Sequence, residues 1–440
     1  MDTSSLSLQN PWWNRKKAIE EDDKVRKILA FGAKLVMHLD DRNMVMVGPR
    51  QLGKTTALKY DIYKKIINDV VDPENILYYS FDTTRNFEQI SEVIDTFMEA
   101  TSGKRYLYLD EVSFVEDWQR AIKFFLDSPR SKDARLYITG SSSINLKKEL
   151  FPGRDIEVRE FLPITFHDFV VAFGSKRLID FVVKNCTTNI EDIALRSNTS
   201  LTYLEELSRL FHMFVTTGGY PLAVVDFQSN GQVGKTTMET HWNAFLSDVS
   251  KAGKSAEIAT SLMISIVKSY GSKANMSKMA RDAGVPSHVT ARDYSELFKD
   301  LFAIDYVFPL NKVGIPIFRK ERKIYFKDPF LFWMFSTVLN VRLDTAESRV
   351  IEGIVCNHLM RTGKDVGYIP GKVETDFTIG NTAIEVKWQN NIRESDIPGT
   401  DFRNNILLSK NHLGENIIPV PVFAALLKTQ MPLNKPRVIR

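Results

Sequence analysis

The chain has 440 residues, 43% hydrophobic and 25% charged, with 58 basic side chains against 54 acidic and a formal net charge of +4. That length exceeds what one hydrophobic core supports, so two or three domains are expected, and the composition excludes a disordered or fibrous protein. A charge this small argues for nucleic acid only where basic residues cluster locally, and two cysteines, Cys186 and Cys356, provide neither a disulfide framework nor a zinc pattern and suit a reducing compartment.

The opening "MDTSSLSLQNPWWNRKK" lacks an apolar stretch for export, and the greasiest segment, "PFLFWMFSTVLNV" at 329–341, is shorter than the roughly 20 residues that cross a bilayer. A cytoplasmic protein with no membrane association is expected. The run "NMVMV" predicts a buried strand, and "TTALKYDIYKKIIND" has helical spacing. Between them, Gly48, Pro49, Arg50, Gln51, Leu52, Gly53, Lys54, Thr55 and Thr56 fit G-x-x-x-x-G-K-[ST], the strand-to-helix loop that wraps phosphate. The glycines let backbone N–H groups surround the β-phosphate at a helix N-terminus, Lys54 reaches the β- and γ-phosphates, and the Thr55 hydroxyl can ligate magnesium. ATP and magnesium are therefore the expected ligands.

Two further strands follow, in "NILYYSFDTT" (75–84) and "KRYLYLDEV" (104–112). The second delivers Asp110 at its C-terminal end to help hold the metal, with Glu111 beside it to polarise the attacking water. A fourth strand, "ARLYITGSSS" (134–143), ends in small polar residues. Ser141 or a neighbour could bond the γ-phosphate or the water; equally, "GSSS" reads as a polar loop. Strands alternating with helices predict an α/β fold with a parallel sheet whose ligands gather at the strands' carboxyl ends.

"GPRQLGKTT", "YLDEV", "ITGSSS" and "LFPGRDIEVREFLPITFHDFV" occur in that order, and with them the chain resembles the AAA+ ATPases of archaea and bacteria in which an ATPase core precedes a winged helix and a nuclease-like C-terminal domain. The resemblance implies that Arg154 contacts the γ-phosphate, in cis or across a subunit interface. The second case would need a homo-oligomer. Read from the residues alone, Arg154 is a surface arginine ahead of a strand. "NPWW" at 10–13 is similar to the family's N-terminal stretch, where packing of two tryptophans suffices as an explanation.

A second G-K-T-T, in "SNGQVGKTTME" (229–239), reads as a linker, because Ser229 stands where the motif needs glycine and no buried strand precedes it. Residues 171–254 show helical spacing and resemble the helical lid of such ATPases. Residues 255–335 read as three helices and two strands, the pattern of a winged helix. Its third helix, from Ser287 through Arg292, could enter a DNA groove, with Arg319, Lys320, Arg322 and Lys323 on phosphates. Asp293 and Glu296 on that helix fit protein packing equally well.

In 336–440, Asp376 followed by Glu385-Val386-Lys387 has the D…E-x-K spacing of two adjoining antiparallel strands, and alternation points Glu385 and Lys387 to one face. Glu352 on the preceding helix can complete a magnesium site at which Lys387 would act on the hydrolytic water. This resembles the PD-(D/E)XK nuclease fold; the plainer alternative is a solvated strand face. The expected architecture is thus an N-terminal arm and AAA+ P-loop NTPase core (1–170), a helical lid (171–254), a winged helix (255–335) and a restriction-endonuclease-like α/β domain (336–440). Its expected activity is magnesium-dependent ATP hydrolysis coupled to DNA, the alternative being a nucleotide-dependent switch for a protein partner, with a C-terminal domain that binds without cutting.

Overall fold

A computed structural model describes residues 3–31, 36–83, 86–142, 151–198, 200–311, 314–370 and 374–429. Ser143 of the polar run and residues 430–440 of the expected C-terminal domain lie outside these. By packing the described chain forms two compact units, one up to Leu162 and one from Pro163 onward. The segments 171–254, 255–335 and 336–429 all contribute to the second.

Strands β1 (Met44–Val47), β2 (Ile76–Ser80), β3 (Arg105–Asp110), β4 (Ala134–Gly140) and β5 (Glu157–Glu160) form the first unit's sheet in the order β2-β3-β4-β1-β5. Every pairing in it is parallel. The inner strands read as largely apolar runs because both faces are covered, with Met44 to Val47 and Leu107 to Leu109 essentially inaccessible to solvent, whereas the edge strand β5 is mostly charged. The helices Lys54–Ile67, Phe87–Ala100 and Trp118–Asp127 supply the crossovers.

The N-terminal arm does more than pack. Strand β2 lies at a sheet edge, so the backbone groups of its alternate residues face away from β3 and need partners. Side chains of the arm provide them. The indole N–H groups of Trp12 and Trp13 donate to the Ile76 carbonyl at 3.1 and 2.9 Å. Asn10 bonds both the N–H and the C=O of Tyr78, and Gln9 accepts from Ser80 N. The two tryptophans are therefore selected for their donors as well as their bulk.

The second unit contains an eight-stranded mixed sheet in the order β13-β12-β11-β10-β9-β7-β8-β6. Its strands are β6 (Lys273–Ala274), β7 (Ile304–Pro309), β8 (Arg322–Phe326), β9 (Val366–Tyr368), β10 (Phe377–Ile379), β11 (Thr382–Lys387), β12 (Asn404–Ser409) and β13 (Ile417–Pro419). Parallel pairing of β7 with β9 joins the three-helix segment 256–300 and its strands to the C-terminal strands in one sheet. The helices expected as a lid belong to this unit too. Phe166 N donates to His358 Nε2 at 2.9 Å, His167 Nδ1 lies 2.7 Å from the Ala425 carbonyl, and Trp333 Nε1 donates to Val215 O. Burial lowers the His358 imidazole to about 4, so it stays neutral and can accept that bond. Gly218 (φ 54°) leaves room for the Asp328 carboxylate, which a Cβ would meet at 1.6 Å; Asp328 accepts from Gly219 N and Phe330 N, tying this turn to the start of the helix Pro329–Val338.

Candidate functional site

The segment 48–53 joins a strand to a helix, the local structure that its spacing predicts. Strand β1 ends at Val47, and Gly53 adopts the left-handed φ of 92° that starts the helix Lys54–Ile67. A side chain at Gly48 is excluded, since its Cβ would lie 1.8 Å from the Phe161 carbonyl oxygen. Lys54 is 3% exposed and folds over the loop, its Nζ donating to Gly48 O at 2.7 Å and Pro49 O at 2.9 Å. Arg50 pairs with Asp82 at 3.2 Å. Asp110 stands at the end of β3, as expected. Its Oδ2 accepts from Thr55 Oγ1 at 2.7 Å, so the two residues assigned to magnesium are in direct contact.

Two residues that sequence reasoning missed hold Asp110 in place. The phenol of Tyr78 on β2 donates to Asp110 Oδ2 at 2.8 Å. Burial, then the nearby charge of Asp110, drives that phenol far above its ordinary range and keeps it a donor. Thr139 on β4 donates to Asp110 Oδ1 and accepts from Glu111 N, tying the two acids together through one hydroxyl. Both had read as core strand residues. The Lys59 ammonium sits 3.6 Å from the Tyr78 ring centroid and 3.6 Å from Asp22 Oδ2, linking this network back to the arm; burial lowers its pKa despite Asp22.

Glu111 adopts φ 58°, a region few non-glycine residues occupy, and its Oε2 is a buried oxygen with no hydrogen-bond partner. An oxygen so placed suits a ligand such as water. Ser141 is fully buried and its Oγ also lacks a partner, while its N–H donates to Ser113 Oγ. Arg154 is held by Asp127 through two hydrogen bonds of 2.8 and 2.6 Å. A substitution follows from the Thr139 geometry: Thr139→Val keeps shape but removes both bonds. At about 1.5–3 kcal/mol for a hydrogen bond to a charged group, ATP turnover measured at saturating magnesium is expected to fall roughly tenfold or more. Unchanged turnover would show that Thr139 does not position the acids.

The linker read at the second G-K-T-T ends at Gly234, and Lys235, Thr236 and Thr237 form the first turn of the helix that follows. Gly231 caps the helix Pro221–Asn230, Gly234 precedes the helix Lys235–Lys251, and the carboxylate of Asp226 accepts from Gly234 N at 2.7 Å, where an anion would have to sit.

In the second unit, Phe377 on β10 pairs antiparallel with Ile384 on β11, the arrangement predicted from the D…E-x-K spacing. The side chains are grouped differently. Lys387 turns to Asp396, at 2.9 Å, and does not join Asp376. The lysine that does is Lys323, expected on a DNA phosphate. It is 4% exposed, and its Nζ lies 3.3 Å from Asp376, 3.5 Å from Glu352 and 3.7 Å from Glu374. Burial works against its charge, but the three carboxylates outweigh burial and hold it protonated. Burial and the neighbouring Asp376 charge raise both Glu352 and Glu385 to about 7. Among the described residues, no group of three or more His, Cys, Asp or Glu side chains is placed to hold a metal ion. Arg322 is likewise drawn inward, stacking over Tyr306 and Phe308, which leaves Arg319 and Lys320 as the exposed bases of the four.

Residues 40–170 match the family model described as "AAA domain", and residues 208–342 match one described as "Domain of unknown function (DUF8612)". An uncharacterized protein of Haemophilus influenzae is 29% identical over 148 residues, 31% of this chain and 36% of that relative. The match thus spans little more than a third of the relative's length. Similar solved structures include the RuvB Holliday junction branch migration motor of Thermotoga maritima, 14% identical with a TM-score of 0.26, covering 69% of this chain and 92% of that one. The ORC2 protein of Aeropyrum pernix is 10% identical with a TM-score of 0.32, covering 74% and 93%. The residues similar to the AAA domain model, 40–170, are those that carry the parallel sheet, loop and acids described above. Among the described residues no helix is long and apolar enough to cross a membrane.

Proposed function

We propose that the chain is a magnesium-dependent ATPase of the AAA+ class that couples hydrolysis to binding or processing DNA. One observation carries the ATPase reading: Lys54 folded over the loop, Thr55 bonded to Asp110, and a buried, unpartnered Glu111 oxygen beside them. The residues fit a magnesium ion, since a hydroxyl and a carboxylate already lie 2.7 Å apart at the helix start. Thr55 would ligate it directly and Asp110 would hold its shell; the ion would neutralise charge developing on the phosphates. The chain's own groups do the rest. Backbone N–H groups of residues 50–55 orient the phosphates, since Pro49 has none and Gly48 N donates to Gly140 O, while Lys54 binds the terminal ones and Glu111 orients and deprotonates the attacking water. Thr139 and Tyr78 keep the acids in place. Ser141 is a candidate for the γ-phosphate, and Arg154 for a neighbouring subunit's site once released from Asp127.

The DNA half rests on the helix His288–Asp300, whose exposed His288 and Arg292 stand with Arg319 and Lys320 in a winged-helix order of elements. A second reading, a nucleotide-dependent switch for a protein partner, is favoured by the inward turn of Arg322 and Lys323, which removes two of the four expected phosphate contacts. ATP turnover with and without duplex and single-stranded DNA separates them. Coupling to DNA predicts stimulation together with a binding affinity that falls as salt rises. Turnover indifferent to every DNA would favour the switch.

A further inference from the structure

Two of the three carboxylates predicted to bind metal in the second unit, Glu352 and Asp376, surround a lysine instead, joined there by Glu374. Besides Asp376, Glu352 and Glu374, the Lys323 ammonium faces the Tyr368 ring, 5.3 Å from its centroid. Each carboxylate has a further partner. Arg349 Nη1 donates to Glu352 Oε2 at 3.4 Å and the Tyr325 phenol donates to Glu352 Oε1. Lys273 Nζ donates to Glu374 Oε2 at 2.6 Å, and Asp376 Oδ2 accepts from Val386 N at 3.0 Å. Three acids, Glu352, Glu374 and Asp376, therefore meet three bases, Lys323, Lys273 and Arg349, while a fourth acid beside them, Glu385, is raised to about 7 by burial and by the Asp376 charge. Buried charge is tolerated when it is balanced and hydrogen-bonded in this way. A divalent ion added here would bring two uncompensated positive charges against an ammonium that cannot leave without exposing its carboxylates to the same imbalance. The lysine of the D…E-x-K pattern is committed elsewhere, to Asp396.

We infer that Lys323 is the resident cation of this cluster: its ammonium stands where a divalent metal would have to bind, closing Glu352, Glu374 and Asp376 to metal. The cluster is then a clasp joining β8, the helix Ala346–Met360 and the segment leading into β10, and the domain is not a metal-dependent nuclease in its native form. This reading is independent of ATP turnover.

The test is a Mn²⁺ titration of nucleotide-free protein, followed by electron paramagnetic resonance. Wild type and Asp376→Asn are expected to bind the same number of ions. Lys323→Ala is expected to bind one more, and the double variant with Asp376→Asn should lose it. A wild-type ion that disappears in Asp376→Asn would overturn the inference, as would a folded Lys323→Ala that gains none. If Lys323→Ala does not fold, the comparison of wild type with Asp376→Asn decides alone, equal stoichiometry upholding the inference and a lost ion refuting it.

Discussion

Lys54→Ala is expected to lose nucleotide binding by 100-fold or more while the fold survives. The lysine is 3% exposed, and its ammonium is poised by the Gly48 and Pro49 carbonyls at 2.7 and 2.9 Å. On the proposed function, phosphates entering the loop would let it exchange bonds to neutral carbonyls for ion pairs with anionic oxygens. Each such bond contributes about 1.5–3 kcal/mol, so two lost contacts exceed the roughly 2.8 kcal/mol that a 100-fold change in affinity represents. Structure should be spared because Lys54 opens its helix, where alanine is a good helix former. Calorimetric titration with ATP, alongside far-ultraviolet circular dichroism, checks both halves. A folded variant that binds with wild-type affinity would remove Lys54 from the phosphate site.

The second large effect separates binding from chemistry. Glu111→Gln preserves the size of the side chain and the backbone bond from residue 111 to Thr139, but removes the basic oxygen that is buried without a partner. Nucleotide affinity should change only a few-fold. Turnover should fall by about 10²–10⁴, the usual contribution of a positioned general base. Single-turnover hydrolysis of radiolabelled ATP measures the step directly, and normal turnover would refute the water-activating role.

The loop and its acids were legible because their chemistry demands fixed residue types at fixed spacing between a strand and a helix, and local spacing is what a sequence displays. Gly48, Gly53, Lys54, Thr55, Asp110 and Glu111 lie where that pattern places them, at the carboxyl ends of β1 and β3. Tyr78 and Thr139 were hidden for the opposite reason. Each sits in an apolar strand and reaches Asp110 only because β2 and β4 flank β3 in the sheet, and strand order is a long-range property.

Lys323 illustrates a different limit. Next to Arg319, Lys320 and Arg322 it reads as part of a basic tip, yet it lies on a strand that continues into the C-terminal sheet through β7 and β9. Alternation along β8 puts Lys323 and Tyr325 on one face, and both reach Glu352, so the clue was present but its meaning depended on a partner 29 residues away. Lys387 was misread similarly, because its register with Glu385 was right while Asp396 captured its charge. The lid expectation failed to foresee that helices after Pro163 would pack with the C-terminal helix Val420–Leu426, whose apolar face is too distant in sequence to be matched by periodicity.

The most direct measurement is a calorimetric titration of the wild-type chain with ATP, once with magnesium and once with a chelator. Saturable heat near one nucleotide per chain, weakened when the ion is withdrawn, is the predicted result, because Thr55 and Asp110 meet at the start of the helix where the proposed function places phosphates and magnesium. Well-folded protein that releases no heat under either condition would contradict the account.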